Sequence, residues 1–130
     1  MKKFLKFPGC LVRQFKSKSF TKMRKGIVME ITTKTFQTKK GLVEGIKTKW
    51  EGFSILLVTG SKGFLACPAI DIDACQGYGA AAAIVESTPD NPIGTLDRFP
   101  NRKVTKANAK ALALGIKVGM NASDAFELIA

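Results

Sequence analysis

From Ile27 onward the chain alternates apolar and polar residues with a period of two. Ile27, Met29 and Ile31 fall on one side and Glu30, Thr32 and Lys34 on the other, as in a strand with one apolar face. Lys39-Lys-Gly41 marks a turn, after which Leu42, Glu44, Ile46, Thr48 and Trp50 share a face. Glu51-Gly52 turns again into a strand whose core, Ser54-Ile-Leu-Leu-Val-Thr59, is apolar on both faces and is predicted to be central or covered twice. Gly60-Ser-Lys-Gly63 reads as a hairpin turn, and Phe64-Leu-Ala-Cys67 closes a four-stranded antiparallel meander. Pro68 cannot donate to a ladder and should end that strand.

The second half of the chain changes period. Residues 69–77 read as a short helix with Asp71 or Asp73 as its N-cap. Alanines 80–83 favour helix, whereas Ile84-Val85 favours strand, so this segment stays open between the two. Thr88-Pro-Asp-Asn-Pro92 is loop, residues 93–96 make at most one helical turn, and Phe99-Pro-Asn101 is another break. Residues 104–114 read as a helix capped by Thr105 or a neighbour. Gly115 closes it at a left-handed position, with Ile116 as the apolar contact of a Schellman ending. Asn121 then opens a last helix with Ala122, Ala125, Phe126 and Ile129 on one side. The expected fold is α+β: an antiparallel or mixed sheet built on an N-terminal meander, followed by short helices packed on the sheet.

The net charge of +11 over 130 residues suggests nucleic acid until it is divided. Residues 1–26 hold nine Lys or Arg and no acid; the remainder holds twelve against ten, or +2. The reading is therefore a basic, disordered extension over 1–26 and a single nearly neutral domain over 27–130. The arm carries Phe4, Phe7, Phe15 and Phe20, which suits RNA stacking, an anionic membrane surface or an organellar presequence. A plain tail, or a natural start at Met23 or Met29, explains it more simply. Lys6 and Pro8 interrupt any signal-peptide core, and no apolar run reaches membrane-span length, so neither secretion nor membrane insertion is expected. The last two helices flank a glycine turn, but the second offers Ser123, Asp124 and Glu127 and no basic residue. Sequence-specific DNA binding is not expected from that face.

Histidine is absent, which excludes Ser-His-Asp and Cys-His catalysis and imidazole metal ligands. Cys10, Cys67 and Cys75 are an odd set without CxxC spacing, so neither a disulfide framework nor a zinc knuckle follows, and a reducing cytoplasm fits best. Gly60-Ser-Lys-Gly63 lacks Walker spacing and precedes a strand rather than a helix, so no phosphate loop is implied. No metal and no cofactor is expected. What remains is the junction Lys62-Gly-Phe-Leu-Ala-Cys-Pro-Ala-Ile-Asp-Ile-Asp73. Cys67 would stand at a strand exit near a helix N-terminus, where a thiolate is favoured. Cys67 as nucleophile and Asp71 as its catalytic support form one candidate site, with Asp73 and Gly63 as ligand-binding candidates. Packing explains Cys67 more simply, because nothing nearby in sequence supplies a base.

Three stretches resemble the YunC-like family, a bacterial and archaeal domain of unknown function. They are Lys62-Gly-Phe-Leu-Ala-Cys-Pro-Ala-Ile-Asp71, Gly77-Tyr-Gly-Ala-Ala-Ala-Ala-Ile-Val85 and Leu114-Gly-Ile-Lys-Val-Gly-Met-Asn121. The resemblance spans about residues 29–130 and leaves the basic arm unmatched. It implies an α+β domain whose N-terminal β region makes a homotetramer, and a strand rather than a helix after Gly77. It carries no catalytic residues. Pro68 stands where that family's pattern has glycine, and the helix after Asp71 is shorter than the pattern. The expected interface is Ile27, Met29, Ile31, Leu42, Ile46 and Trp50. The leading functional expectation is a cytoplasmic homo-oligomer that binds a small molecule or assembles. A Cys67 enzyme, and RNA or membrane association through the arm, are the alternatives.

Overall fold

The computed structural model describes residues 18–24 and 27–130, with side chains described from Met29 onward. Its strands lie in one sheet in chain order: β1 (Lys18–Arg24), β2 (Ile27–Thr38), β3 (Gly41–Trp50), β4 (Phe53–Thr59), β5 (Phe64–Ala66), β6 (Ala82–Val85) and β7 (Val104–Ala107). Every neighbouring pair is antiparallel except β5–β6. That parallel step needs a crossover, which residues 67–81 supply with α1 (Ile72–Gly77). A 3₁₀ helix (Leu96–Asn101), α2 (Ala109–Ala113) and α3 (Ala122–Ile129) complete the mixed α+β fold.

The meander is as expected from Ile27 to Ala66, including the turn at Gly60-Ser-Lys-Gly63. Three readings need correction, and one left open is decided. Lys18–Arg24, assigned to the basic extension, pairs along its length with β2, so the described sheet begins at Lys18. The earlier part of that arm lies outside the described residues. Residues 104–107 are strand rather than helix, because Val104 and Thr105 are β-branched and Val104 is buried on the sheet. The helix cap is consequently Asn108, not Thr105. Phe99-Pro-Asn101 is no break but the end of the 3₁₀ helix, which tolerates Pro100 and buries Phe99. The segment after Gly77 resolves as strand, with all of Ala82–Val85 buried.

The C-terminal half is built as its punctuation implies. Gly115 adopts φ +102°, its N–H donates to Leu112 O, and Ile116 N–H donates to Ala111 O, which is the Schellman pattern. Ile116 is fully buried, as are Ala122, Ala125 and Ile129 on the inner side of α3. Phe126 joins them, its ring centroid 5.1 Å from Phe36 and 6.2 Å from Phe99. The end of α3 docks on the β4–β5 turn: Lys62 N–H donates to Ile129 O at 2.8 Å. Gly60 is required there, because any Cβ would collide with that same carbonyl.

Alternation divides the sheet into two faces. One carries Phe36, Val43, Leu56, Val58, Leu65, Cys67, Ala83 and Val85 beneath the 3₁₀ helix and α3 in the main core. The other carries a smaller cluster of Ala66, Ala82 and Ile84 under Ile72 of α1.

Asn108 ties these parts together and is 3% exposed. Its Oδ1 accepts from Ala82 N and Ala111 N, and its Nδ2 donates to the carbonyls of Ile72 and Ala80, all within 3.1 Å. Replacing this side chain takes a partner from four backbone groups, three of them in buried contacts. Asn108→Ala is expected to lower unfolding free energy by about 2–4 kcal/mol in urea titrations, against little change for the exposed Asn101→Ala.

Candidate functional site

Cys67 follows β5 directly, and its N–H continues the ladder by donating to Leu56 O at 3.0 Å. Leu65 and Cys67 point to the main core, while Ala66 points to the opposite face with α1. Cys67 and the helix that follows it are therefore separated by the sheet itself. Asp71 is the N-cap of α1, its Oδ1 accepting from Asp73 N and Ala74 N at 3.1 Å each. Asp73 pairs with Lys106 at 3.1 Å on the exposed surface. The structure thus does not bring either carboxylate to the Cys67 sulfur. Gly63 stands at the other end of the three-residue β5, packed so closely on Ala81 that a Cβ would come within 2.7 Å of its carbonyl oxygen.

A different set of groups surrounds Cys67. It lines a groove of about 510 Å³ between the β3–β4 hairpin and the loop over 87–94. Leu56, Ser54 and Lys49 share its sheet face, and Trp50 and Phe53 form the hairpin rim, their rings 5.8 Å apart and edge-on. Pro89 and Pro92 stand opposite. Among the described residues no carboxylate lines this groove and Lys49 is its one charged lining residue, with Glu30 directly opposite it across the β2–β3 ladder.

The opposite wall is held by unusual means. Arg102 is 8% exposed and has no carboxylate partner among the described residues. Its guanidinium donates instead to Asn91 O, Asn91 Oδ1 and Pro92 O, at 2.8, 3.2 and 2.8 Å. Ser87 Oγ accepts from Ile93 N and Thr88 Oγ1 from Asn91 N, each at 3.1 Å. From the sheet, Lys47 Nζ donates to Gly94 O at 2.6 Å, and Lys34 pairs with Asp97. Sequence reading missed this wall, because Arg102 and its acceptors are a loop apart and share no motif. The available signal was Lys47 and Lys49 falling, by alternation, on the face opposite Ile46.

Of the expected interface residues, Met29, Ile31 and Leu42 are exposed, while Ile46 and Trp50 are half-buried. All five share the sheet face away from the 3₁₀ helix and α3. Ile27 occupies a paired position in β2, and its side chain lies outside the described residues.

Residues 66–129 match the family model of a domain of unknown function, DUF1805. The match begins at the end of β5, so β1–β4 lie outside it. The chain is also similar to a crystal structure of a protein of unknown function from Thermoplasma acidophilum, at 21% identity and a TM-score of 0.66, over 84% of this chain and 100% of that one. That likeness shows a shared fold. No curated protein matches the chain. Among the described residues no helix is long and apolar enough to cross a membrane, and no three His, Cys, Asp or Glu side chains gather as metal ligands.

If Arg102 holds the 87–94 wall, Arg102→Met should release it while the sheet persists. Amide exchange at Asn91 and Ile93 is expected to accelerate by at least about tenfold, with global stability falling by about 2–3 kcal/mol. Unchanged exchange at these amides would show that the turn holds itself.

Proposed function

We propose that this chain is a self-associating domain whose open sheet face is its subunit interface. One observation carries the reading. Across β2, β3 and β4 the register makes three rows on that face: Met29–Trp50–Phe53, Ile31–Thr48–Ile55 and Thr33–Ile46–Leu57. These nine positions hold seven large apolar residues, two threonines and no charge. The 3₁₀ helix and α3 pack on the other face, and the α1 cluster covers the β5–β6 end of this one, reaching Leu57 of β4. An apolar face of this kind on a small chain is the usual mark of a partner surface. A self-complementary sheet face suits a closed homo-oligomer, which needs no second gene product.

The YunC-like resemblance adds the number of copies, a homotetramer. The two described cysteines are both free, which suits a reducing cytoplasm. The separation of Cys67 from Asp71 and Asp73 weighs against a cysteine nucleophile supported by those acids. Most of the basic arm falls outside the described residues, and RNA or membrane binding through it gains no support from the groove or the sheet.

Size-exclusion chromatography with light scattering at micromolar concentration should give a multiple of 14.0 kDa. Ile46→Lys, which puts an ammonium in the centre of the face, should return the protein to one copy with its circular dichroism intact. A parent protein that elutes at the single-copy mass defeats the reading.

A further inference from the structure

β2 is longer than the strand described beside it. β1 pairs with Ile27–Thr33, and its first described residue, Lys18, stands opposite Thr33. Lys34–Thr38 pair inward with β3, from Lys34↔Gly45 to Thr38↔Gly41, and among the described residues no strand pairs with their outer edge. A second groove, of about 420 Å³, is lined by these five residues, the 3₁₀ helix and α3. Its apolar lining is Phe36, Phe126 and Pro100, and Phe36 stays half-buried although its ring packs on Phe126. Lys34 and Asp97 line it too and pair with each other, while the β3 neighbours Gly45, Val43 and Gly41 bring no further charge. Glu127 of α3 completes the charged lining. It is half-buried and makes no hydrogen bond or ion pair among the described residues. The groove thus combines an open strand edge, an aromatic slot and one unbalanced carboxylate.

We infer that residues 13–17 of this same chain occupy the groove, as the continuation of β1. Ser17 is bonded directly to Lys18, so the segment meets the open edge with no loop between, and its five residues match the five unpaired edge positions. In the register already set by β1, Ser17 falls opposite Lys34, Phe15 opposite Phe36 and Arg13 opposite Thr38, all on the groove side. Phe15 is then set against the rings of Phe36 and Phe126, and Arg13 on the side of the sheet that holds the Glu127 carboxylate. Lys16 falls opposite Thr35 on the other face, in the row that carries Glu44. A slip of one residue would put Gln14 and Lys16 in the aromatic slot and Phe15 outside it, so alternation selects this register. Pro8-Gly9 supplies the break that lets a strand start after it. An edge with unpaired backbone groups is a template for another strand, and the arm is already in line with it. The assignment uses the core face and the strand edge, so it goes beyond self-association through the opposite face and does not depend on it.

The test is amide hydrogen exchange, read by NMR on the full chain. In an antiparallel strand successive amides alternate in direction, so some of those in Lys34–Thr38 point to β3 and the others outward. The outward amides are expected to be protected at least about tenfold beyond the exposed turn amide of Lys39. Phe15→Asp should remove that protection while the amides of β3 keep theirs, and Arg13→Glu should lower it by roughly threefold. Phe7→Asp, an equal change on the far side of Pro8-Gly9, should leave it as it is. A nuclear Overhauser contact between the Phe15 and Phe126 rings is expected within one chain. Three results overturn the inference: outward amides no better protected than Lys39, protection unaltered by Phe15→Asp or by Arg13→Glu, or a ring contact found only between labelled and unlabelled chains in a mixed sample. The last would give the groove to the arm of a second copy.

Discussion

A single buried carboxamide holds the architecture together. Asn108 spends both lone-pair directions of its oxygen and both protons of its nitrogen on backbone groups of three segments. It fixes the start of α1 through Ile72, the entry to β6 through Ala80 and Ala82, and the first turn of α2 through Ala111. Its own N–H donates to Ala82 O, so its backbone is fixed by the strand it serves. Gln76 works beside it, accepting from Ala109 N at 2.6 Å and joining the end of α1 to the start of α2. The parallel step from β5 to β6, which no tight turn can make, is closed by this polar knot rather than by apolar burial alone.

The meander was legible because its signals are local. Period-two alternation sets register and face, and glycine-bearing turns set the breaks between strands. Gly115 and the inner residues of α3 were legible for the same reason, since a Schellman ending and a helical stripe each lie within a few residues. The errors arose where tertiary context decides. Val104-Thr-Lys-Ala107 sits beside alanines that favour helix, and the open edge at β6 together with its β-branched start makes it a strand. Lys18–Arg24 carries a composition that suits a solvated tail, yet β2 offers it a ladder. The junction at Cys67 depends on tertiary context in the same way. Its two acids lie within six residues in the chain, but one alternation of the strand puts them across the sheet from the sulfur.

Lysine usage in the domain follows from the same geometry. Lys34 and Lys47 lie on the core face of the sheet, where a charged head has to reach an acceptor. They find Asp97 and the Gly94 carbonyl and so lay the 94–97 segment onto the strands. Arg102 does the corresponding work from below, on Asn91 and Pro92. Lys47 and Arg102 thus place their charge on carbonyls of the domain's own loops. A near-neutral count over residues 27–130 hides that division of labour.

The order of the sheet has a kinetic meaning. Because β1 to β7 are neighbours in space in the sequence in which they occur, each strand can be added to the edge its predecessor leaves, with no strand inserted between two others. Loop-closure entropy is met in small instalments along the hairpins. Two steps fall outside that zipper: the crossover to β6, and the docking of Ile129 on the β4–β5 turn. A chain arranged this way gathers most of its sheet early and reaches its native packing only when those two distant closures are made.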